Sequence, residues 1–130
     1  MNDKIFQDVQ RFHKSCDLYQ GEPGTTPPLQ QIITRHRLIE EEFDELCEAM
    51  AAGDVVEVAD AVADLIYVAA GAAVDFGITD KMGAIWEEVH QTNMQKASAP
   101  KANGKVQKPA DWKPPRIRDI LEGSNGKSQV

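Results

Sequence analysis

Residues 38–71 read LIEEEFDELCEAMAAGDVVEVADAVADLIYVAAG, and this stretch decides the fold. Apolar residues recur at steps of three, four and seven between Ile32 and Met50, which predicts an amphipathic helix over residues 29–52 with a buried apolar stripe. Gly53 is a residue type that commonly ends a helix, and Asp54 is a favoured N-cap for the next one. That helix is predicted over residues 55–76, because Gly77 follows it. The stretch therefore predicts a helical hairpin.

Flanking helices extend this hairpin into a bundle. A first helix is predicted within residues 3–19, before a loop rich in Gly and Pro, and a fourth over residues 79–96 with Ile85, Trp86 and Val89 inward. We predict an all-α bundle of about four helices, with its core at residues 1–96 and an extended basic tail at residues 97–130. The tail would pack on the core or on a neighbouring subunit. Helices this apolar in a short chain predict a homodimer or homotetramer that completes the core.

Charge and composition exclude several classes of protein. The formal net charge is −7, and it divides into −12 for residues 1–95 and +5 for residues 96–130. An acidic body disfavours general nucleic-acid binding, which needs a basic surface. Cys16 and Cys47 lack metal-ligand spacing and form no disulfide framework. Since no stretch approaches the length of an apolar span and the first residues lack an apolar signal core, we expect a soluble, cytoplasmic protein without membrane association.

The third helix carries an unusual set of charges. Glu57, Asp60 and Asp64 are spaced i, i+3 and i+7, so they share one face. The remaining positions are so apolar that we expect this helix to be buried nearly all round. Three carboxylates on such a helix would each cost several kcal/mol to desolvate without compensation. The pattern therefore predicts a cation at this face.

The second helix offers a matching cluster across the short turn. Antiparallel pairing would bring its acids level with those of the third helix, in an all-oxygen site suited to Mg²⁺ or Mn²⁺. The predicted metal ligands are Glu41, Glu42, Glu45, Asp60 and Asp64. Such cations screen a polyphosphate and activate water, and Glu42 is our candidate for the general base. Two other interpretations remain open: an acid-rich run is often a solvated face, and Arg35 or Arg37 could neutralise the acids.

Three segments resemble one known family. Residues 41–45, EEFDE, fit the E-E-x-x-E motif of the all-α nucleoside triphosphate pyrophosphohydrolases, the MazG-like group with its dimeric dUTPase-like relatives. Residues 60–71, DAVADLIYVAAG, look like the second metal-binding helix of that group. Residues 88–96, EVHQTNMQK, with residues 103–115, NGKVQKPADWKPP, are similar to the ending of its single-domain phage and bacterial members. The resemblance spans about residues 29–120.

This resemblance implies a reaction and further site residues. It implies hydrolysis of an NTP or dNTP to the monophosphate and pyrophosphate, with two or three Mg²⁺ or Mn²⁺ ions in an oligomeric bundle. Asn93, Lys96 and Lys108 would contact the phosphates, while Trp112 would either stack on the nucleobase or hold the tail in place. One position departs from the pattern, because Ala61 stands where the family has an acid. Asp60 would replace it, or the site would be displaced by one turn to include Glu57.

Two other functions compete with this interpretation. Ala61 makes a non-catalytic nucleotide-sensing or metal-sensing protein possible. Glu87 and His90 have the E-x-x-H spacing of carboxylate di-iron bundles, although such a site needs a second pair and the sequence has none. His13 is expected at the surface or in packing.

Overall fold

The computed structural model describes residues 3–99 and 101–123, and it confirms the all-α class. The chain divides into two compact units, of which one is Asp3–Asp80 and the other contains the residues from Lys81 onward. The first unit contains three helices: α1 (Lys4–Ser15), α2 (Leu29–Ala52) and α3 (Val55–Asp75). The predicted bounds of α2 are confirmed, and those of α3 differ by one residue.

The turn between α2 and α3 contains the predicted C-terminal glycine of α2 and the predicted N-cap of α3. Gly53 has a φ of 67°, a left-handed conformation that costs little without a Cβ atom. The Asp54 side chain accepts a hydrogen bond of 3.2 Å from the backbone N–H of Glu57, so it caps α3. Because only these two residues separate the helices, α2 and α3 pack side by side in opposite directions.

A small core joins α1 to α3. Val9 is almost completely buried against Ala70 and Val74, and Phe6 packs at the edge of this cluster. These side chains are small, so the two helices approach each other closely. Burial of apolar surface stabilises the contact by about 25 cal/mol per Å².

The buried face of α2 differs from the predicted stripe. Arg35 and Ala49 are buried and Leu38 and Glu42 half-buried, whereas Phe43 and Met50 of the predicted stripe are more than half exposed. The exposed residues lie about 60–100° around the helix from Arg35 and Glu42. In the single chain, the prediction of a buried stripe is therefore wrong for Phe43 and Met50, because α3 packs on the neighbouring face of α2. Ile39 and Leu46 of the same stripe are half-buried.

The expectation that α3 is buried nearly all round is also wrong for the single chain. Val55 and Val56 are 78% and 76% exposed, and Val62 and Ile66 are 40% and 45% exposed. The buried positions of α3 are concentrated at Ala61 and in its last six residues. Since α1 and α2 cover one side of α3, its opposite side keeps a large apolar surface.

The remaining elements follow α3, and those after Lys81 belong to the second unit. A 3₁₀ turn (Thr79–Lys81) leads into α4 (Met82–Met94), and a second 3₁₀ turn (Gln95–Ser98) follows. Ile85 is buried as predicted, but Trp86 is 54% exposed, so its predicted inward position is wrong. The two residues are adjacent on the helix and point about 100° apart, and the described part of this unit covers only one of the two directions.

A two-stranded hairpin and a short helix lie within the tail. Strands β1 (Lys101–Ala102) and β2 (Lys105–Val106) pair antiparallel, and helix α5 spans Ile117–Gly123. Asn103 and Gly104 both have positive φ, at 55° and 72°, which is the conformation of a tight hairpin turn. Across residues 3–99 and 101–123, no single helix is long and apolar enough to cross a membrane; the bent pair Val55–Asp75 and Thr79–Ala97 meets the criteria of length and composition only when its two parts are counted together.

Candidate metal centre

Three carboxylates converge between α2 and α3. One oxygen from each of Glu42, Glu45 and Asp64 lies within 4.8 Å of the other two. Glu42 and Asp64 are half-buried, whereas Glu45 is exposed. The antiparallel hairpin brings them together because residues 42–45 precede the turn by about as many residues as Asp64 follows it. Three of the five predicted metal ligands are therefore close enough to share one ion.

Glu42 provides the test of whether a cation fits. Its Oε1 atom is buried and has no hydrogen-bond partner among the described residues. A buried carboxylate oxygen without a partner is costly, and native proteins rarely leave one. A divalent cation would supply the missing partner and offset the repulsion among the three acids. A donor set made only of carboxylate oxygens suits hard cations such as Mg²⁺ and Mn²⁺.

The same surroundings perturb the protonation of Glu42. Burial raises the pKa of the Glu42 carboxyl above its ordinary value, and the negative charges of Glu45, Asp64, Glu41 and Asp60 raise it further. Each of these effects disfavours the ionised form. In the absence of a cation, Glu42 therefore holds a proton more readily than an ordinary glutamate, and its role as the general base stays a prediction.

Glu41 and Asp60 lie outside the group of three. Both side chains are exposed, although both charges act on Glu42. Asp60 opens into a cleft of about 350 Å³ at the turn end of the hairpin, which Glu45 and Glu57 also line. Ala61 lies in the wall of this cleft and is 3% exposed. The roles of Glu41 and Asp60 as metal ligands stay predictions. Because Glu57 and Asp60 line the same cleft as Ala61, the replacement of the missing acid by either of them stays a prediction as well.

A second cavity adjoins the carboxylates on the side of α1. It has a volume of about 280 Å³, and Glu42 and Asp64 belong to its lining. The other walls are mainly apolar and aromatic, from Val9, Phe12, Leu18, Leu38, Tyr67 and Val68. The acidic group therefore lies between a charged cleft and an apolar cavity.

Arg35 does not neutralise the acidic face. Its Nε donates to Oδ2 of Asp75 at 2.7 Å, and both side chains are buried. Asp75 also accepts a hydrogen bond of 3.0 Å from Gln31. This pair was not predicted from the sequence, although an arginine on an amphipathic helix and an acid at the end of an apolar helix are a usable signal. Because Arg35 is engaged with Asp75, the need for another cation at Glu42, Glu45 and Asp64 remains.

In the second unit, two predicted phosphate ligands meet at Trp112. The Nζ atoms of Lys96 and Lys108 lie 5.1 Å and 4.6 Å from the centroid of its ring. The indole N–H donates to the carbonyl of Thr92 at 2.8 Å, so Trp112 holds the tail against the end of α4. Asn93 is exposed beside Thr92. The structure brings Lys96, Lys108 and Trp112 together, while their contact with substrate stays a prediction.

Comparison with known proteins identifies one family. The sequence model of the family described as phosphoribosyl-ATP pyrophosphohydrolase matches residues 9–93. The matched range contains α2, α3 and all five predicted metal ligands, and it ends at Asn93. Lys96, Lys108 and Trp112 lie beyond it. No curated protein matches the chain.

Proposed function

The chain belongs to the phosphoribosyl-ATP pyrophosphohydrolase family, part of the MazG-like all-α superfamily, and from this premise we propose a metal-dependent nucleoside triphosphate pyrophosphohydrolase. Family membership supports a hydrolase that acts on the acid anhydride of a nucleotide. The proposed products are the nucleoside monophosphate and pyrophosphate. The proposed substrates are NTPs and, in particular, dNTPs.

One observation supports metal dependence above the others. Glu42, Glu45 and Asp64 bring three carboxylate oxygens together, and the buried Oε1 of Glu42 lacks a partner among the described residues. We propose that these acids, with Glu41 and Asp60, hold two or three Mg²⁺ or Mn²⁺ ions. Bound there, the ions would screen the charge of the polyphosphate and lower the pKa of a water molecule.

Glu42 would act on the proton of the attacking water. Its carboxyl group lies in the acidic cluster beside Glu45 and Asp64, where a general base would meet the attacking water. The water oxygen would bond to the phosphorus that stays in the nucleoside monophosphate, and Glu42 would take the water's proton. The bond from that phosphorus to the oxygen that bridges it to the next phosphate would then break. Pyrophosphate then leaves with the electron pair of the broken bond. Glu45 and Asp64 would hold the cations in position.

The lysines of the second unit would bind the phosphates. Lys96 and Lys108 place two ammonium groups beside one indole ring. Two ammonium groups near one ring favour an anion in their vicinity. We propose that the groups receive the phosphates of the substrate, together with Asn93, and that Trp112 positions them.

The exposed apolar surface supports the proposed homodimer or homotetramer. Phe43 and Met50 on α2 and Val55 and Val56 on α3 are each more than half exposed. Large amounts of exposed apolar surface often mark protein–protein interfaces. We propose that a second copy of the chain covers them.

A panel of nucleotide assays tests the proposed activity. The protein is incubated with each NTP and dNTP, and with phosphoribosyl-ATP because the family is described by that substrate, in the presence of Mg²⁺ or Mn²⁺. Monophosphate and pyrophosphate should form from at least one of them. The Glu45→Gln and Asp64→Asn variants should fold and lose this activity, while an Asp8→Asn variant on the outer face of α1 should keep it. Absence of turnover with every nucleotide would contradict the proposal.

A second candidate is a non-catalytic nucleotide sensor. The buried Ala61 favours it, because the family pattern has an acid at that position. Calorimetry that shows nucleotide binding in Mg²⁺ without release of pyrophosphate would support the sensor and exclude the enzyme.

A further inference from the structure

The tail runs along α4 in the direction opposite to that helix. The indole N–H of Trp112 donates to the carbonyl of Thr92 at 2.8 Å. Four residues later in the tail, Arg116 binds the carboxylate of Glu88, which lies one turn before Thr92 on α4. All four residues belong to the second unit. The tail is therefore attached to α4 at two points, one on each side of residues 113–115.

Glu88 binds both the side chain and the backbone of Arg116. Its Oε2 atom accepts from the backbone N–H at 2.9 Å and from Nε at 3.2 Å, while Oε1 accepts from Nη2 at 3.4 Å. The hydrogen bonds from the side chain and the backbone of Arg116 lower the pKa of the Glu88 carboxyl below its ordinary value. An ion pair with two-pronged geometry is the kind that contributes at a protein surface. Because the backbone N–H also takes part, Glu88 fixes the path of the chain at Arg116.

The segment between the two attachments is stiff. Residues 113–115 read KPP, and a proline fixes its own φ at about −65°. On the other side of Trp112, its backbone N–H donates to the carbonyl of Pro109 at 3.1 Å. This turn brings the ammonium group of Lys108 to 4.6 Å from the centroid of the indole ring. A displacement at Arg116 would therefore be passed on to Trp112 and Lys108.

We propose that Glu88 is a positioning residue: by holding Arg116, it keeps the tail along α4 and so keeps the ammonium group of Lys108 beside that of Lys96. The inference rests on the proposed function, in which these two lysines receive the phosphates of the substrate. Glu88 carries the same sign of charge as a phosphate, so its own field would weaken binding. A loss of binding on its removal therefore has to act through the tail.

Steady-state kinetics of Glu88→Ala test this role. The KM of the best nucleotide should rise by about threefold to tenfold with a small change in kcat, because a phosphate contact is loosened while the metal ligands are unchanged. Arg116→Ala should raise KM less, since its backbone N–H still has Glu88 as an acceptor. A rise below about threefold in Glu88→Ala, or a fall in KM, would overturn the inference.

A second ion pair in the tail provides the matched control. Arg118 Nη1 lies 3.2 Å from Oε2 of Glu122, the same separation as that between Arg116 Nε and Glu88 Oε2. Both members of this second pair belong to α5. Glu122→Ala therefore removes one negative charge from the same unit without releasing the tail from α4, and KM should stay at the parent value. An equal rise in KM would assign the effect to charge alone and contradict the inference.

The double variant Glu88→Ala/Lys108→Met measures whether Glu88 acts through Lys108. In Lys108→Met the ammonium group that Glu88 is proposed to position is absent. The further substitution Glu88→Ala should then raise KM by less than about twofold, because the two effects are coupled. A larger further rise would show that Glu88 acts independently of Lys108, and the inference would be wrong.

Tryptophan fluorescence measures the attachment of the tail without any activity. The chain has two tryptophans, and Trp86 is 54% exposed, so Trp86→Phe leaves Trp112 as the single fluorophore. In this background acrylamide should quench the half-buried Trp112 more strongly after Glu88→Ala than after Glu122→Ala. Equal quenching in the two variants would show that Glu88 does not hold the tail.

Pyrophosphate binding separates this inference from the proposed activity. If the protein hydrolyses no nucleotide, calorimetry with pyrophosphate in Mg²⁺ should still show binding that Glu88→Ala weakens at least about threefold and Glu122→Ala leaves unchanged. That result would retain the positioning role and reject the enzyme. Equal binding by the two variants, or no binding by the parent, would reject the role. Hydrolysis with an unchanged KM in Glu88→Ala would retain the enzyme and reject the role.

Discussion

Arg35 and Asp75 form a buried ion pair that joins the start of α2 to the end of α3, with Nε and Oδ2 2.7 Å apart. Gly71 makes room for it, because a Cβ atom at that position would collide with the guanidinium group of Arg35. Glu42 lies two turns after Arg35 on the same face of α2. The pair therefore links the same two helices that carry Glu42, Glu45 and Asp64.

Arg35→Met should destabilise the protein by about 3–5 kcal/mol, because it leaves the Asp75 carboxylate buried without its partner. Urea denaturation followed by circular dichroism measures the change. The double variant Arg35→Met/Asp75→Leu should recover most of the loss, since it removes both charges. A loss below about 1 kcal/mol in the single variant would show that the pair is not needed for the hairpin.

Divalent cations should stabilise the folded protein. A ligand at one hundred times its Kd adds about 2.7 kcal/mol to the free energy of unfolding, which corresponds to a rise in Tm of roughly 10 °C for a chain of this size. Thermal scans with Mg²⁺ or Mn²⁺ against EDTA measure it. Asp64→Asn should abolish the rise, whereas Asp8→Asn on α1 should keep it. An equal rise in both variants would place the ions elsewhere.

Glu42→Gln should change how stability depends on pH in metal-free protein. Burial and the surrounding acids raise the pKa of Glu42 above its ordinary value of 4.5, so the folded protein binds this proton more tightly than the unfolded chain. Its contribution to stability is full below that ordinary value and is lost as the pH rises through the folded pKa. In EDTA the variant should therefore exceed the parent in Tm near about pH 7 and match it below about pH 4. The opposite order at neutral pH would contradict the placement of Glu42.

Replacing a lysine at Trp112 should affect substrate binding more than turnover. Lys108→Met should raise the KM of the best nucleotide about tenfold with a small change in kcat, the effect of one lost charged contact. Lys101→Met, on β1 and outside the Trp112 cluster, is the matched control. Trp112→Phe keeps an aromatic ring beside the lysines but loses the hydrogen bond to the carbonyl of Thr92. Trp112→Leu loses both the ring and the hydrogen bond, so it should raise KM more than Trp112→Phe does. If Lys108→Met and both Trp112 variants have the same KM as the parent protein, Lys108 and Trp112 do not belong to the substrate site.

Local patterns were sufficient to predict much of the fold and part of the site. The bounds of α2, the left-handed Gly53 and the cap at Asp54 depend on neighbouring residues in the chain, so spacing and residue type predicted them. The two-residue turn likewise predicted that acids of α2 would meet Asp64. The hairpin at Asn103 and Gly104 was missed, although this dipeptide is a strong turn signal.

Only the tertiary structure decided which face of each helix turns inward. The apolar stripe through Phe43 and Met50 predicted the wrong face of α2, because the interior is organised around Arg35 and Asp75, 40 residues apart. Helical periodicity identifies a face, but it does not identify the partner that covers it. The burial of Glu42 Oε1 without a hydrogen-bond partner among the described residues, and the cavity beside it, likewise depend on how three helices pack. Both are set by distances between residues that lie far apart in the sequence.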